Sequence, residues 1–153
     1  MHGGEAVSDP ITITIDATKF GEDMDKVLSK LDSMLPETME RVASQMLDYA
    51  QVNAPVDTGT LKDRLEASVE RTDRDISAVV GTSLEYAPYM EYGTGDRGAA
   101  EGGDSYKGHT EPVSYTAGWG GVSPHPYLRP ALYDLQGVYI QMVEQTVDRA
   151  CRE

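Results

Sequence analysis

One cysteine, one tryptophan and one phenylalanine stand in a chain of 153 residues. A lone thiol, Cys151, excludes an internal disulfide framework and a cysteine-rich zinc site, and it suits a reducing compartment. Cations are also scarce. Against 26 Asp and Glu there are 13 Lys and Arg, for a formal charge of −13. Gripping phosphates takes clustered Lys and Arg, so this balance argues against nucleic-acid binding and against an anionic membrane surface. No apolar run approaches the ~20 residues of a membrane span. The opening Met-His-Gly-Gly-Glu-Ala has neither the basic nor the apolar region of a signal peptide. The expectation is a soluble, acidic chain made inside the cell, of a length that suits one domain with a core needing no staples.

The hydrophobic pattern divides the chain. Ile11-Thr-Ile-Thr-Ile15 alternates strictly and predicts a half-buried strand over 11–16, begun by Asp9-Pro10 and ended by Asp16. Met24, Val27, Leu28, Leu31, Leu35, Met39, Val42, Met46, Leu47 and Ala50 follow at three- and four-residue steps, the stripe of a long helix over 22–53. Pro36 removes a backbone donor within it and predicts a kink or two abutting helices. Pro55 ends the helix by disfavouring helical geometry at Ala54. Asp57-Thr58-Gly59-Thr60 reads as a turn, and Leu61 and Leu65 should pack under the helix. Residues 65–82 read as a hairpin joined through Thr72-Asp73-Arg74-Asp75. Tyr86, Tyr89 and Tyr92 fall at three-residue spacing, which suits a short helical turn.

From Gly93 to Pro124 the character changes: these residues hold 9 of the 15 glycines and no Leu, Ile, Met or Phe. So little apolar surface cannot offset the ordering entropy, which predicts a long surface loop over 93–124. Tyr106, Tyr115 and Trp119 in it point to ordering against a partner. Leu128 to Ala150 carries a second amphipathic stripe, a helix over 128–151 with Pro130 at its start, where the missing donor is harmless. The pattern predicts an α+β domain: a small, mostly antiparallel sheet of three or four strands, packed by a long N-terminal and a C-terminal helix.

Chemistry is harder to find. Asp57-Thr58-Gly59 matches the motif of aspartic proteases, and Val79-Val80-Gly81 mimics its apolar-apolar-Gly companion. Those enzymes need two carboxylates sharing a proton, so a chain this short would act as a dimer. The protease aspartate follows an apolar strand, however, whereas Asp57 follows a helix ended by Ala54-Pro55, and a structural turn is the preferred reading. His2, His109 and His125 are scattered and form no metal or catalytic cluster. No glycine-rich phosphate loop ends in Lys-Ser/Thr. The expectation is no catalysis, no cofactor and no metal.

Four strings in order are more specific. They are Asn53-Ala-Pro-Val-Asp-Thr-Gly-Thr-Leu-Lys-Asp63, Val80-Gly-Thr-Ser83, Tyr86-Ala-Pro-Tyr-Met-Glu-Tyr-Gly-Thr94 and Pro126-Tyr-Leu-Arg-Pro-Ala-Leu132. Together they resemble the gene-product-ten-like family of lambdoid tailed phages, which comprises tail-completion or head–tail joining proteins. The resemblance covers about Leu47 to Tyr133. It makes Pro55, Asp57, Thr58, Gly59, Leu61, Tyr86, Glu91, Tyr92, Gly93, Thr94, Tyr127, Leu128, Arg129 and Pro130 structural or interface positions; it says little about the glycine-rich segment, where Tyr106, Tyr115 and Trp119 alone point to a loop arm. Arg129, a lone cation there, should pair with a carboxylate, Glu91 by preference, within one subunit or across an interface. The resemblance implies a virion protein assembled as a ring, six-fold by expectation, between head connector and tail tube. Duplex DNA would pass its lumen without specific binding, and an acidic wall would keep it from sticking. A tail terminator or tail-tube subunit is the alternative, and the dimeric protease a more distant one.

Overall fold

The structure, a computed structural model, describes residues 17–57 and 59–152. The expected Ile11–Ile15 strand and Thr58 lie outside the described residues. The architecture is α+β. Helix α1 (Ala17–Asn53) has 37 residues, about 55 Å of helix at 1.5 Å per residue. A single turn, α2 (Thr60–Asp63), leads into strands β1 (Glu66–Arg71) and β2 (Ile76–Gly81). These pair antiparallel from Glu66↔Gly81 to Arg71↔Ile76. The expected hairpin is thus present, one residue shorter at each end. Short helices α3 (Ala87–Tyr92) and α4 (Gly95–Ala100) come next, then a ribbon of β3 (Ser105–Tyr106) and β4 (His109–Thr110). Helices α5 (Leu128–Tyr133) and α6 (Gln136–Arg152) close the chain. The strands among the described residues form two separate two-stranded sheets rather than one sheet of three or four.

Pro36 does not divide α1. The carbonyl it leaves without a helical donor belongs to Asp32, four residues back. Arg71, at the end of β1, donates Nη1 to that carbonyl at 3.5 Å and Nη2 to the Asp32 carboxylate. The hairpin tip therefore repairs the helix it packs on.

The C-terminal helix expected as one piece over 128–151 is two. Asp134 and Leu135 interrupt it, and the Leu135 carbonyl restarts the ladder by accepting from Val138 and Tyr139 at 2.9 and 3.1 Å. The break lets both pieces lie on α1, and Tyr139 ties them by donating its hydroxyl to the Ala131 carbonyl at 2.7 Å.

The core sits where α1, α5 and the chain after α1 meet, around Ala50, Ala54, Leu61, Leu65, Ala87, Tyr127 and Ala131. Leu61 and Leu65 are buried beside Ala50 and Ala54, as expected. Many of the buried apolar side chains are alanine, which lets backbones approach closely and leaves Tyr127 the largest side chain fully inside. Further along α1, the hydroxyls of Thr38 and Thr146 bond at 2.8 Å across the buried α1–α6 contact. Thr146→Val should cost about 1 kcal/mol, since Thr38 keeps a donor in Arg41 Nη2 at 3.1 Å. Urea unfolding, read as a shifted midpoint at constant slope, measures that loss.

Candidate functional site

Two of the four sequence strings interlock around one carboxylate. Glu91, on α3, is 2% exposed. Its Oε2 accepts from the backbone N–H groups of Tyr127 and Leu128 at 2.7 and 2.8 Å. Its Oε1 accepts from the Arg129 backbone N–H at 3.0 Å and from Arg129 Nε at 2.8 Å. Three successive amides at the start of α5 thus converge on a charge, the arrangement that orphan donors and the helix dipole favour. Arg129 returns Nη2 to the Glu91 carbonyl at 2.8 Å, and its guanidinium lies 4.6 Å from the centre of the Tyr92 ring. Arg129 Nη1 is buried with no partner. The pairing is within one chain.

Tyr127 closes the clamp from the other side, donating its hydroxyl to the Ala87 carbonyl at 3.3 Å. Burial above all, with the Glu91 charge second, pushes its phenol well up from 10.0. Pro130 is buried next to Arg129, and Leu128 is half-buried.

The segment 93–124 is not the structureless loop that its composition predicts. It carries α4 and the β3–β4 ribbon, and it folds back on itself through its backbone. Thr94 and Val122 exchange N–H···O bonds of 2.8 and 3.1 Å, Asp96 N–H reaches the Trp119 carbonyl at 2.7 Å, and Arg97 N–H the Gly120 carbonyl at 3.2 Å. Glycine makes this possible where chain meets chain. Gly121 has φ +64° and a Cβ there would overlap the Thr94 carbonyl; one on Gly103 would overlap that of Tyr92. Backbone contact takes the place of the missing apolar side chains, which the entropy argument did not count.

The aromatic residues of this segment turn inward in two cases. Tyr115 donates its hydroxyl to the Tyr92 carbonyl at 3.0 Å. Tyr106 donates to Asp134 at 3.0 Å, joined there by Lys107 Nζ at 2.6 Å and by Tyr49 at 3.2 Å from α1. His109 stacks on Tyr133 with centroids 3.7 Å apart. Trp119 stays 55% exposed. The Asp134 hub escaped the sequence reading, because nothing distinguishes an aspartate within an apolar stripe from a solvated one.

The hydrogen bond from Lys107, with smaller help from Tyr106 and Tyr49, holds the Asp134 carboxyl below 3.8 against the opposing effect of desolvation. A carboxylate lowered on folding stabilises fully above its unfolded value and loses that contribution as the pH falls through the folded one. The ribbon should therefore loosen below about pH 4. Protection from hydrogen exchange at Tyr106 and His109, relative to the intrinsic rate at each pH, should fall there in the native chain, and Asp134→Asn should flatten the dependence.

The remaining predicted positions line two surface cavities on either side of α3. One, of about 390 Å³, is bordered by Pro55, Asp57, Gly59, Leu61, Tyr86 and Met90. Asp57 is exposed and is the one carboxylate in that lining among the described residues. The other, of about 490 Å³, runs between Tyr89, Tyr92, Thr94, Tyr115 and Trp119, with Gly93 in its wall. The second is walled by aromatic rings and hydroxyls, whereas the first is mixed, with one tyrosine beside aliphatic side chains and a carboxylate. Among the described residues no group of three or more His, Cys, Asp or Glu is placed to hold a metal, and no helix is long and apolar enough to cross a membrane.

A family model described as "Bacteriophage HK97-gp10, putative tail-component" matches residues 18–93, from the start of α1 through α3. No curated protein and no solved structure matches.

Proposed function

The chain belongs to the HK97 gp10-like family of phage tail components, and from that premise we propose that it is the neck protein that completes the tail. In this reading, copies form a ring between head connector and tail tube, with DNA passing through the lumen. One observation carries the assembly part. The first half of α1 projects from the body with its apolar stripe in water: Phe20 is 68% exposed, Leu28 56% and Met24 42%. Apolar side chains in a row along a projecting helix mark a surface that a partner covers.

The acidic excess fits the passage of a duplex, which a negative wall repels. The clamp around Glu91 serves as architecture, fixing α3 against α5 so that the aromatic cavities beside it keep their shape. Asp57 is assigned to the turn that ends α1, not to catalysis.

Cryo-electron microscopy of the particle tests this. Density for the chain as a ring between connector and tube is expected, with acidic residues lining the channel. A position elsewhere on the tail, or absence from the particle, overturns the neck reading. A neutral or basic channel overturns the role given to the charge.

A further inference from the structure

The cavity between Tyr89, Tyr115 and Trp119 is neutral on a chain of charge −13. Pro88, Tyr89, Tyr92, Tyr115 and Trp119 bring rings to its wall, and Ser114 and Thr116 bring hydroxyls. Among the described residues of the lining, none carries a charge at neutral pH. Its volume of about 490 Å³ falls within the ~300–1,000 Å³ of ligand sites.

The wall is held from behind. Tyr115 is tied by its hydroxyl to the Tyr92 carbonyl at 3.0 Å, and the Trp119 carbonyl accepts from Asp96 N–H at 2.7 Å. Tyr89 stands on α3, which the Glu91 clamp fixes. Rings whose backbone is already ordered bind at little further entropic cost. Their polar groups remain unused: among the described residues, neither the Tyr89 hydroxyl nor the Trp119 indole N–H has a hydrogen-bond partner. Tyr89 is 58% exposed and Trp119 55%, so both face an incoming ligand.

What the wall lacks narrows the occupant. Single-stranded nucleic acid stacks on aromatic rings but needs cations for its phosphates, and none lines the cavity. A charged peptide would bury its charge with no opposite partner, which is costly. An extended chain rich in proline meets each feature. Its rings pack on aromatic faces, it carries no charge, and without N–H groups it offers only carbonyl acceptors. The indole N–H is a donor with no acceptor capacity, and a tyrosine hydroxyl can donate beside it. A second copy of this chain does not supply such a segment. Pro124, Pro126 and Pro130 stand close together, yet they are built into their own body. The His125 N–H donates to the Met90 carbonyl at 2.7 Å, Glu91 holds the Tyr127 N–H, and Pro130 is buried.

We propose that this cavity binds an uncharged, proline-rich extended segment of another protein. Stacking on Tyr89 and Trp119 supplies the adhesion, and hydrogen bonds from their O–H and N–H groups to the segment's carbonyls set its position. The proposal goes beyond the ring reading and does not rest on it.

Trp119 is the one tryptophan of the chain, so its emission reports this cavity alone. Oligoproline titrated into the full-length chain should shift that emission to the blue and saturate, while a glycine-serine peptide of equal length gives no shift. In proton–nitrogen spectra the indole N–H resonance should move downfield as it gains an acceptor. Tyr89→Ala should weaken binding by about tenfold or more, the loss of a stacking ring. Tyr86→Ala, which faces the cavity on the other side of α3, should leave it unchanged. Ser114→Glu, a charge set into an exposed part of the rim, should weaken binding as well, and circular dichroism checks that each variant is folded. No saturable response to oligoproline, or one that survives both Tyr89→Ala and Ser114→Glu, overturns the proposal. A saturable response to a neutral glucan or to oligothymidylate, with none to oligoproline, assigns the cavity to sugar or nucleic acid and overturns it too. The ring reading is decided separately, by where the chain lies in the particle.

Discussion

Glu91→Leu is expected to lower the unfolding free energy by about 3–5 kcal/mol, the largest effect of any single substitution considered. The estimate follows from what the change leaves behind. Arg129 is 4% exposed and already has one guanidinium nitrogen without a partner. Removing the carboxylate strands the rest of its charge in a low-dielectric site, the situation in which breaking a buried pair costs that much. Three backbone N–H groups at the start of α5 lose their acceptor at the same moment. At about 2–4 °C per kcal/mol for a chain of this size, the melting temperature should fall by about 10 °C or more. Scanning calorimetry measures it. The double variant Glu91→Leu, Arg129→Met decides whether the charge or the packing matters. With no cation left unpaired, it should recover a good part of the loss, because apolar replacement of a whole buried pair is often neutral. If the double variant is as unstable as the single one, the amide cap carries the stability and the guanidinium is incidental.

How much of this was legible beforehand depends on which forces are local. The stripe of α1 and the hairpin are periodic signals, readable because burial imposes them at fixed spacing. Glu91 and Arg129 were readable as a pair for another reason: one cation in an apolar, proline-bounded string calls for a carboxylate. Three features were not readable, each through a long-range contact that no spacing encodes. Arg71 repairs the Pro36 gap from 39 residues away. Asp134 breaks the last helix while collecting Tyr49, Tyr106 and Lys107 from two distant segments. The glycine-rich segment looked too poor in apolar side chains to order. Its order comes from backbone approach that only glycine permits, so the composition that suggested a loose loop is what allows a tight one.

That last point makes Gly121→Ala informative. Gly121 combines a left-handed φ of +64° with a carbonyl where a Cβ would stand. Holding alanine there costs about 1–3 kcal/mol for the backbone conformation, before any displacement of Thr94. The strap between residues 93–98 and 118–122 should open locally, while α1, α6 and the hairpin, whose main packing is on one another, stay folded. Hydrogen exchange at Thr94, Asp96 and Val122, whose amides close the strap, should speed up by about 5- to 150-fold, the factor matching that cost. Far-ultraviolet circular dichroism should stay near that of the native chain. The aromatic cavity between Tyr89, Tyr115 and Trp119 depends on the strap for one wall. Opening it should therefore weaken incorporation into particles, measured by complementation with the variant chain. Faster exchange with undiminished incorporation would mean that this cavity touches no neighbour in the assembled tail. Unchanged exchange would mean that the segment absorbs a methyl group without parting, contrary to the overlap at Thr94.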